Sequence, residues 1–295
     1  EAPRSGRSDR GRLVLMILAI LAFLTLAEYL STTLATVQIG LVMHGLALVA
    51  LLLLAALLAE PAEQRIYLTL AFAPLIRLVS LSMPLQGLPM MYWYLLVGAP
   101  ITLSIVMVIR YGGFTRKELG LTGNKWFLQI LVGMVGIGLG YIEYLILRPA
   151  PLADAFTLRA IWFPALILVI FTGFLEEIIF RGLMQTAFGA KIGRWLGILL
   201  ISGLFAVLHL GYQSLLDVVF VFLVALLFAV VTEWTRSILG VSLAHGLTNV
   251  TLFLVFPFII GQGMELQLPG IFGERLRPAV QVMGELPSPS EVTAT

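Results

Sequence analysis

Three short patterns in the second half of the sequence carry the side chains that could do chemistry. In chain order they are Glu176-Glu177-x3-Arg181, Phe205-x3-His209 and His245-x3-Asn249. All three lie in strongly apolar surroundings, where an ionisable side chain costs roughly 2.5–3.5 kcal/mol even on the lenient insertion scale. A membrane protein that keeps two glutamates and two histidines there is expected to use them, which predicts a catalytic or a transport site.

Helical geometry predicts different roles for the two neighbouring glutamates. Each residue advances about 100° around a helix, so Glu177 and Arg181, four residues apart, share a face while Glu176 points away from Arg181. Glu177 is therefore predicted to form a supporting ion pair. Glu176 is left to face a polar cavity, where a carboxylate can take a proton from water and pass it to a leaving amine.

The two histidine patterns supply the remaining groups that amide hydrolysis needs. Phe205 lies one turn before His209 and is predicted to shield the imidazole from lipid and hold its orientation. Hydrolysis requires a water activator, for which Glu176 and His209 are suited, and hydrogen-bond donors aimed at the developing oxyanion. His245 and Asn249, one turn apart on one helix face, fit the second task. These residues together predict peptide-bond hydrolysis inside the membrane.

The three patterns, in this order on successive apolar segments, resemble the signature motifs of the CPBP (Abi) family of type II CAAX prenyl proteases and bacteriocin-processing enzymes. Every signature position matches. The resemblance covers about residues 160–255, whereas the first four or five predicted helices carry no motif. The resemblance implies an all-helical intramembrane endopeptidase. In it, Glu176 and His209 would activate water, and His245 and Asn249 would stabilise the oxyanion. Glu177 and Arg181 would support the site.

Whether a metal takes part stays open from the sequence. Members of the resembled family have been described both as metalloproteases and as glutamate-dependent enzymes. Glu176, His209 and His245 could ligate Zn²⁺ in a three-ligand site with an open position. No other cofactor is predicted, and the absence of cysteine excludes disulfides, thiolate metal ligands and a cysteine nucleophile.

Two other functions fit part of the pattern. A proton- or ion-coupled transporter would use Glu176, His209 and His245 as a relay, and a non-catalytic immunity or scaffold protein would bind without cutting. Paired oxyanion donors are superfluous in a relay, which favours the enzyme. Its predicted partners are the lipid bilayer and a membrane-associated peptide or protein, with or without a lipid anchor. No basic groove with interleaved aromatic residues points to nucleic acid.

The rest of the chain predicts the elements that must position these residues. Of 295 residues, 60% are hydrophobic and 12% are charged, and the mean hydropathy is +1.02, which excludes a water-soluble domain of this size. Continuous apolar runs of about 20 residues predict an all-α, polytopic transmembrane bundle of eight or nine helices around a polar cavity. The runs lie at about 13–34, 40–59, 66–82, 92–110, 126–147, 160–181, 195–211, 215–232 and 237–260.

The chain is predicted to contain four regions. They are a cytoplasmic N-terminal segment (1–12), helices without a recognised motif (13–150), the catalytic core (151–260) and a partly disordered tail (261–295). Arginines before the first run and basic residues at 116–125 and 191–194 place those segments on the cytoplasmic side of a prokaryotic plasma membrane, because short cytoplasmic loops are enriched in Lys and Arg. We expect the cavity to open to the same side.

A conflict in depth follows from these boundaries. If the sixth run ends at Arg181, Glu176 lies near the cytoplasmic end of its helix and His209 lies near the opposite end of the next one. A re-entrant segment at 182–195, or a broken or tilted helix, is therefore predicted.

Polar residues and glycines outside the motifs predict helix contacts. Four ionisable residues stand singly in apolar runs and are interpreted as interhelical partners or boundary residues, with Glu28 a candidate partner of Arg77. They are Glu28, His44, Arg77 and Glu143. A stripe of small residues predicts one close helix crossing; it consists of Gly133, Gly136 and Gly140.

Overall fold

A computed structural model describes residues 5–58, 60–85, 87–123 and 125–261, and the side chains of all of these except 5–9 and 58. In these ranges nine helices are long and apolar enough to cross a membrane, and no strand is present. An all-α polytopic bundle is thereby confirmed, with the larger of the two predicted helix counts; the predicted tail beyond Gly261 lies outside the described residues. The helices are α1 (Ser5–Ser31), α2 (Val37–Leu57), α3 (Pro61–Ser82), α4 (Met90–Gly112), α5 (Trp126–Leu147), α6 (Leu158–Ile192), α7 (Arg194–Tyr212), α8 (Leu215–Thr235) and α9 (Leu239–Gly261).

Helix α6 is the longest, at 35 residues, and carries the two glutamates near its middle. The prediction that this helix ends at 181 is wrong, because the chain stays helical until Gly193, whose φ of 95° is a backbone angle that glycine adopts readily and other residues do not. Gly182, which interrupts the apolar run in the sequence, lies inside the continuous helix. The predicted re-entrant segment is therefore not needed to bring Glu176 and His209 to the same depth.

Two π-helical stretches interrupt α6 on either side of the glutamates. They span Val169–Phe174 and Ile178–Met184 and enclose a single α-helical turn, Leu175–Glu177. π-Helical turns widen the helix and are frequent at functional sites. The local geometry of the Glu-Glu pattern thus departs from that of a regular α-helix.

Helix α9 packs closely against α5 and α6. A Cβ atom at Gly136 of α5 would fall on the backbone of Ala244, and one at Gly140 would meet the Thr248 carbonyl. On the other side, Gly173 of α6 lies against the backbone of Gly246. The predicted glycine crossing is found, and it fixes the depth and rotation of the helix that carries His245 and Asn249.

The bundle has two distinct ends. At one end the α4–α5 loop is tied to α3 by an ion pair between Arg65 and Glu118 (3.0 Å) and to α6 by a hydrogen bond from Thr186. We call this the basic end, because it also carries Lys117, Lys191 and Arg194. At the opposite end, the turn before α8 contacts the end of α1 through a hydrogen bond from Gln213 to the Thr32 carbonyl (3.0 Å).

Candidate active site

A cavity of about 80 Å³ lies among α6, α7, α8 and α9, with further walls from α4 and α5. This volume is enough for several water molecules. All four residues predicted to be catalytic line it: Glu176, His209, His245 and Asn249. The three sequence patterns, carried by three helices, therefore meet at one polar space.

A buried hydrogen-bond network lies behind this cavity. One oxygen of Glu177, Oε1, accepts hydrogen bonds from Arg181 Nη1 (2.8 Å) and from His245 Nδ1 (2.9 Å). Glu177 is 0% exposed, Arg181 3% and His245 8%. The predicted pair between Glu177 and Arg181 is present, and it also orients the imidazole of His245.

Phe205 lies at the centre of the aromatic packing around the network. The Arg181 guanidinium stands over its ring at 4.6 Å from the centroid. The same ring packs on His209 at 4.9 Å and on His245 at 5.9 Å between centroids. Its position therefore restrains both imidazoles and favours the buried cation.

Glu176 faces the cavity, with 28% of its side chain exposed, and its Oε2 lies 3.9 Å from Nε2 of His245. Two carboxylates and one guanidinium leave this cluster with one excess negative charge. A single proton held between Glu176 and His245 neutralises it, and buried charges are strongly favoured to be neutralised in this way. The pair is arranged to hold and release one proton.

The regular α-helical part of α7 ends at Val207, and His209 lies in the tighter turns that follow it. Its Nδ1 lies 2.9 Å from the Phe205 carbonyl oxygen, which can only accept a hydrogen bond, so Nδ1 is the protonated nitrogen of the neutral ring. Nε2 is then left as an acceptor. An imidazole held in this tautomer can accept a hydrogen bond or a proton from water.

Helices without a motif also hold this turn in place. Arg77 of α3 donates a hydrogen bond from Nη2 to the Leu208 carbonyl (2.6 Å), one residue before His209. Arg77 is itself paired with Glu28 of α1 at 2.7 Å, and Glu28 lies 3.5 Å from His44 of α2. The candidate pair of Glu28 and Arg77 is thus found, and it reaches the catalytic half of the chain.

Asn249 is positioned by a residue that sequence reasoning missed. Its Nδ2 donates to Oγ1 of Thr172 (2.8 Å), whose hydroxyl donates to the Leu168 carbonyl (2.5 Å). One amide hydrogen of Asn249 is engaged and the other is left for the cavity. The available signal was the spacing of Thr172, which lies four residues before Glu176 and so on the same side of α6. Glu143, interpreted as a boundary residue, also lines the cavity.

An apolar groove of about 380 Å³ adjoins the cavity between α3, α4, α6 and α7. The groove and the cavity share five lining residues, which are Tyr94, Glu176, Phe205, His209 and Tyr212. The remaining walls include Trp93, Val97 and Phe171. The groove therefore provides an apolar approach to the same carboxylate and imidazole.

The cavity and the groove lie in the half of the bundle away from the basic end, since their walls include the start of α4 and the turn before α8. The distribution of Lys and Arg predicts that the basic end is cytoplasmic, and the cavity is predicted to open to the same side. These two expectations exclude each other in this fold.

The possible zinc site is not supported by the arrangement of the side chains. Among the described residues no group of three or more His, Asp or Glu side chains is arranged to hold a metal ion. The reaction proposed below uses side chains and water alone.

Comparison with known proteins supports the motif assignment. Residues 158–251 match the family model described as type II CAAX prenyl endopeptidase Rce1-like. The matched segment runs from the start of α6 into α9 and contains all three motifs, which confirms the resemblance predicted from them. Neither a curated protein nor a solved structure matches the chain. The family implies a protease, and the nine candidate spans of the described residues imply an integral, multi-pass membrane protein.

Proposed function

We propose that this protein is an intramembrane endopeptidase that hydrolyses a peptide bond of a membrane-associated, CAAX-like substrate. The observation that carries the proposal is the convergence of Glu176, His209, His245 and Asn249 on one cavity that can hold water. The family match supports the reaction class.

In the proposed reaction, a water molecule in the cavity donates a hydrogen bond to Nε2 of His209 and gives a proton to Glu176. The resulting hydroxide attacks the peptide carbonyl carbon, forming the new C–O bond. Positioned acid–base groups of this kind contribute roughly 10²–10⁴-fold to a rate. The fixed tautomer of His209 supports its part in this step.

The oxyanion formed by this attack is stabilised by the free amide hydrogen of Asn249 and by Nε2–H of protonated His245. Both donors are held from behind, by Thr172 and by Glu177 respectively. Donors that are already oriented before charge develops need no reorganisation during the reaction, which makes them effective. When the C–N bond breaks, Glu176 returns its proton to the leaving amine, and the acyl product leaves as a carboxylic acid.

The apolar groove provides for the part of the substrate that stays in the membrane. Its aromatic and aliphatic walls suit a lipid anchor or an apolar peptide segment, and they end at Glu176 and His209. Burial of apolar surface there, at about 25 cal/mol per Å², would hold the scissile bond at the cavity.

The proposal is tested with the full chain purified in detergent and a fluorogenic peptide that carries a prenylated cysteine followed by three residues. We expect Glu176→Gln and His209→Gln to lower cleavage by about 100-fold or more. Glu60→Gln is the matched control, because Glu60 is an exposed carboxylate at the basic end.

The outcomes separate the site from the substrate. Equal cleavage by the wild-type protein and Glu176→Gln would overturn the site. Absence of wild-type cleavage of the prenylated peptide, with cleavage of an unmodified apolar peptide, would overturn only the CAAX-like substrate.

A further inference from the structure

A second cavity lies at the basic end and is separate from the candidate active site. It has a volume of about 530 Å³, which is within the range of small-molecule sites. Each of its lining residues is polar, charged or glycine. The charged ones are Lys117, Glu118, Arg181, Arg194, Glu233 and Arg236. These side chains can make polar contacts with an occupant.

The charges of this cavity favour an anion. Four cations and two carboxylates line it, which leaves two net positive charges. Glu233 is already paired with Arg194 and with Arg236, both at 3.0 Å. Lys117 forms no ion pair with any carboxylate in the part of the chain that the structure describes, so it is free to bind an anion from outside.

The second carboxylate, Glu118, is also fully engaged. The backbone amide of Thr115 donates to it at 2.8 Å, as does the Thr115 hydroxyl, and Arg65 pairs with it at 3.0 Å. These contacts hold the pKa of Glu118 below its ordinary value, and the hydrogen bond from the Thr115 backbone amide has the largest effect. Glu118 remains ionised, and its charge is balanced by Arg65, which lies outside the cavity.

The residues that line the cavity include exposed cations and buried hydrogen-bond donors. Lys117, Arg194 and Arg236 are exposed, whereas Gln185 and Arg181 are buried. Thr232, another wall residue, is also buried, and its Oγ1 has no hydrogen-bond partner among the described residues. The guanidinium of Arg181 donates from Nη1 to Glu177 and from Nη2 to the Ala225 carbonyl (3.3 Å). A guanidinium has five N–H donors, so further donors remain for a ligand.

We propose that this cavity is a binding site for a phosphate-bearing ligand. Several guanidinium groups around one space match the geometry of phosphate oxygens, and lysine adds a point charge. The phosphate can belong to a soluble compound or to a lipid headgroup, since the cavity lies where α6 and α8 leave the apolar part of the bundle. The proposal does not depend on the proteolytic function of the other cavity.

Two single variants test the site without removing a paired charge. Gly189 lies in the wall, and a Cβ atom there meets nothing within 4 Å, so we expect Gly189→Leu to place its side chain in the free space of the cavity. Lys117→Gln removes the unpaired cation. Gly138→Leu and Lys191→Gln are the controls: Gly138 is a second helical glycine with open space, and Lys191 is a lysine at the basic end that lies outside the cavity and pairs with the exposed Glu60 at 3.4 Å.

The measurement is the thermal-unfolding midpoint of the full chain in detergent, with inorganic phosphate compared with chloride at equal ionic strength. We expect phosphate at about ten times its dissociation constant to raise the wild-type midpoint by roughly 3–6 °C. The increase should be absent in Gly189→Leu, smaller in Lys117→Gln and unchanged in both controls. A parallel comparison uses phosphatidylcholine vesicles with and without phosphatidic acid.

The two arms distinguish the sources of phosphate. A shift with inorganic phosphate assigns a soluble ligand, and a shift only with phosphatidic acid, with the same dependence on the variants, assigns a lipid headgroup. No shift in either arm, or equal shifts in all variants, would overturn the proposal.

Discussion

A single carboxylate oxygen, Oε1 of Glu177, joins the ion pair of α6 to the imidazole of α9. Because Glu177 is completely buried, its charge requires the Arg181 guanidinium nearby. The same atom fixes the ring of His245. The stability of the fold and the orientation of His245 therefore both depend on Glu177, the first through Arg181 and the second through a direct hydrogen bond. The two contributions can be separated.

We expect Glu177→Met to lower the free energy of unfolding by about 3–5 kcal/mol, since it leaves the Arg181 charge buried without a partner. The double variant Glu177→Met with Arg181→Leu should regain most of this loss, because an apolar pair needs no counter-charge. Cleavage should stay low in both variants, because Nδ1 of His245 has lost its acceptor. Denaturation in mixed micelles and the peptide assay measure the two effects.

A double variant that recovered cleavage together with stability would contradict this account. It would mean that Glu177 serves only as the counter-ion of Arg181. Glu118→Gln with Arg65→Leu, which removes an ion pair at the basic end, provides the control for a double change of charge.

Local spacing predicts some of these contacts and not others. Glu177 and Arg181 are four residues apart, so the helix itself brings them together. The bonds from Asn249 to Thr172 and from Arg77 to Leu208 join residues 77 and 131 positions apart. No local pattern encodes such partners; they depend on how whole helices pack.

At the scale of the helices, the crossing of α5 and α9 determines where two candidate catalytic residues lie. Gly136 leaves no space for a Cβ atom because the Ala244 backbone occupies it, and Ala244 immediately precedes His245. Gly138, in the same helix, has nothing within 4 Å of a Cβ position. The two glycines form a matched pair for measuring the crossing.

We expect Gly136→Ala to destabilise the protein by about 1–3 kcal/mol, as overpacked sites commonly do, and to reduce cleavage by moving α9. Gly138→Ala should be neutral or stabilising by up to about 1 kcal/mol, because alanine has the higher helix propensity. Thermal midpoints and initial cleavage rates of both variants check this. Similar losses in the two variants would show that backbone approach at Gly136 is not the limiting contact.

Hydropathy predicts the number of helices because each apolar run must bury its backbone polar groups in a helix. It fails at the end of α6, where Arg181, Gln185 and Lys191 lower the hydropathy although the helix continues to Ile192. Arg181 pairs with Glu177, and Gln185 donates a hydrogen bond to the Ala229 carbonyl. A hydropathy average over a window of residues does not include such partners. The π-helical stretches beside Glu176 have no periodic signature either.

For the molecule as a whole, the separation of the two ends has a consequence that can be measured. Lys117 lies at the basic end and Gly211 lies at the end that contains the cavity and the groove. Both are exposed. The sequence contains no cysteine, so Lys117→Cys and Gly211→Cys each introduce a single thiol.

If the basic end faces the cytoplasm, an impermeant maleimide added to intact cells should label Gly211→Cys and leave Lys117→Cys unlabelled. The candidate active site would then be reached from the outer half of the membrane. Labelling of Lys117→Cys alone would reverse the orientation of the bundle and place the site towards the cytoplasm. Disruption of the cells should make both thiols reactive and serves as the control.

The hydrogen bond from Arg77 to the Leu208 carbonyl limits how the protein can be divided. Residues that hold the His209 turn come from α1 and α3, far outside the segment that carries the recognised motifs. Transplanting that segment into another helical scaffold would transfer the reactive groups but leave one of them without its support. Swaps between related proteins should therefore exchange α1 and α3 together with the motif helices if they are to preserve turnover.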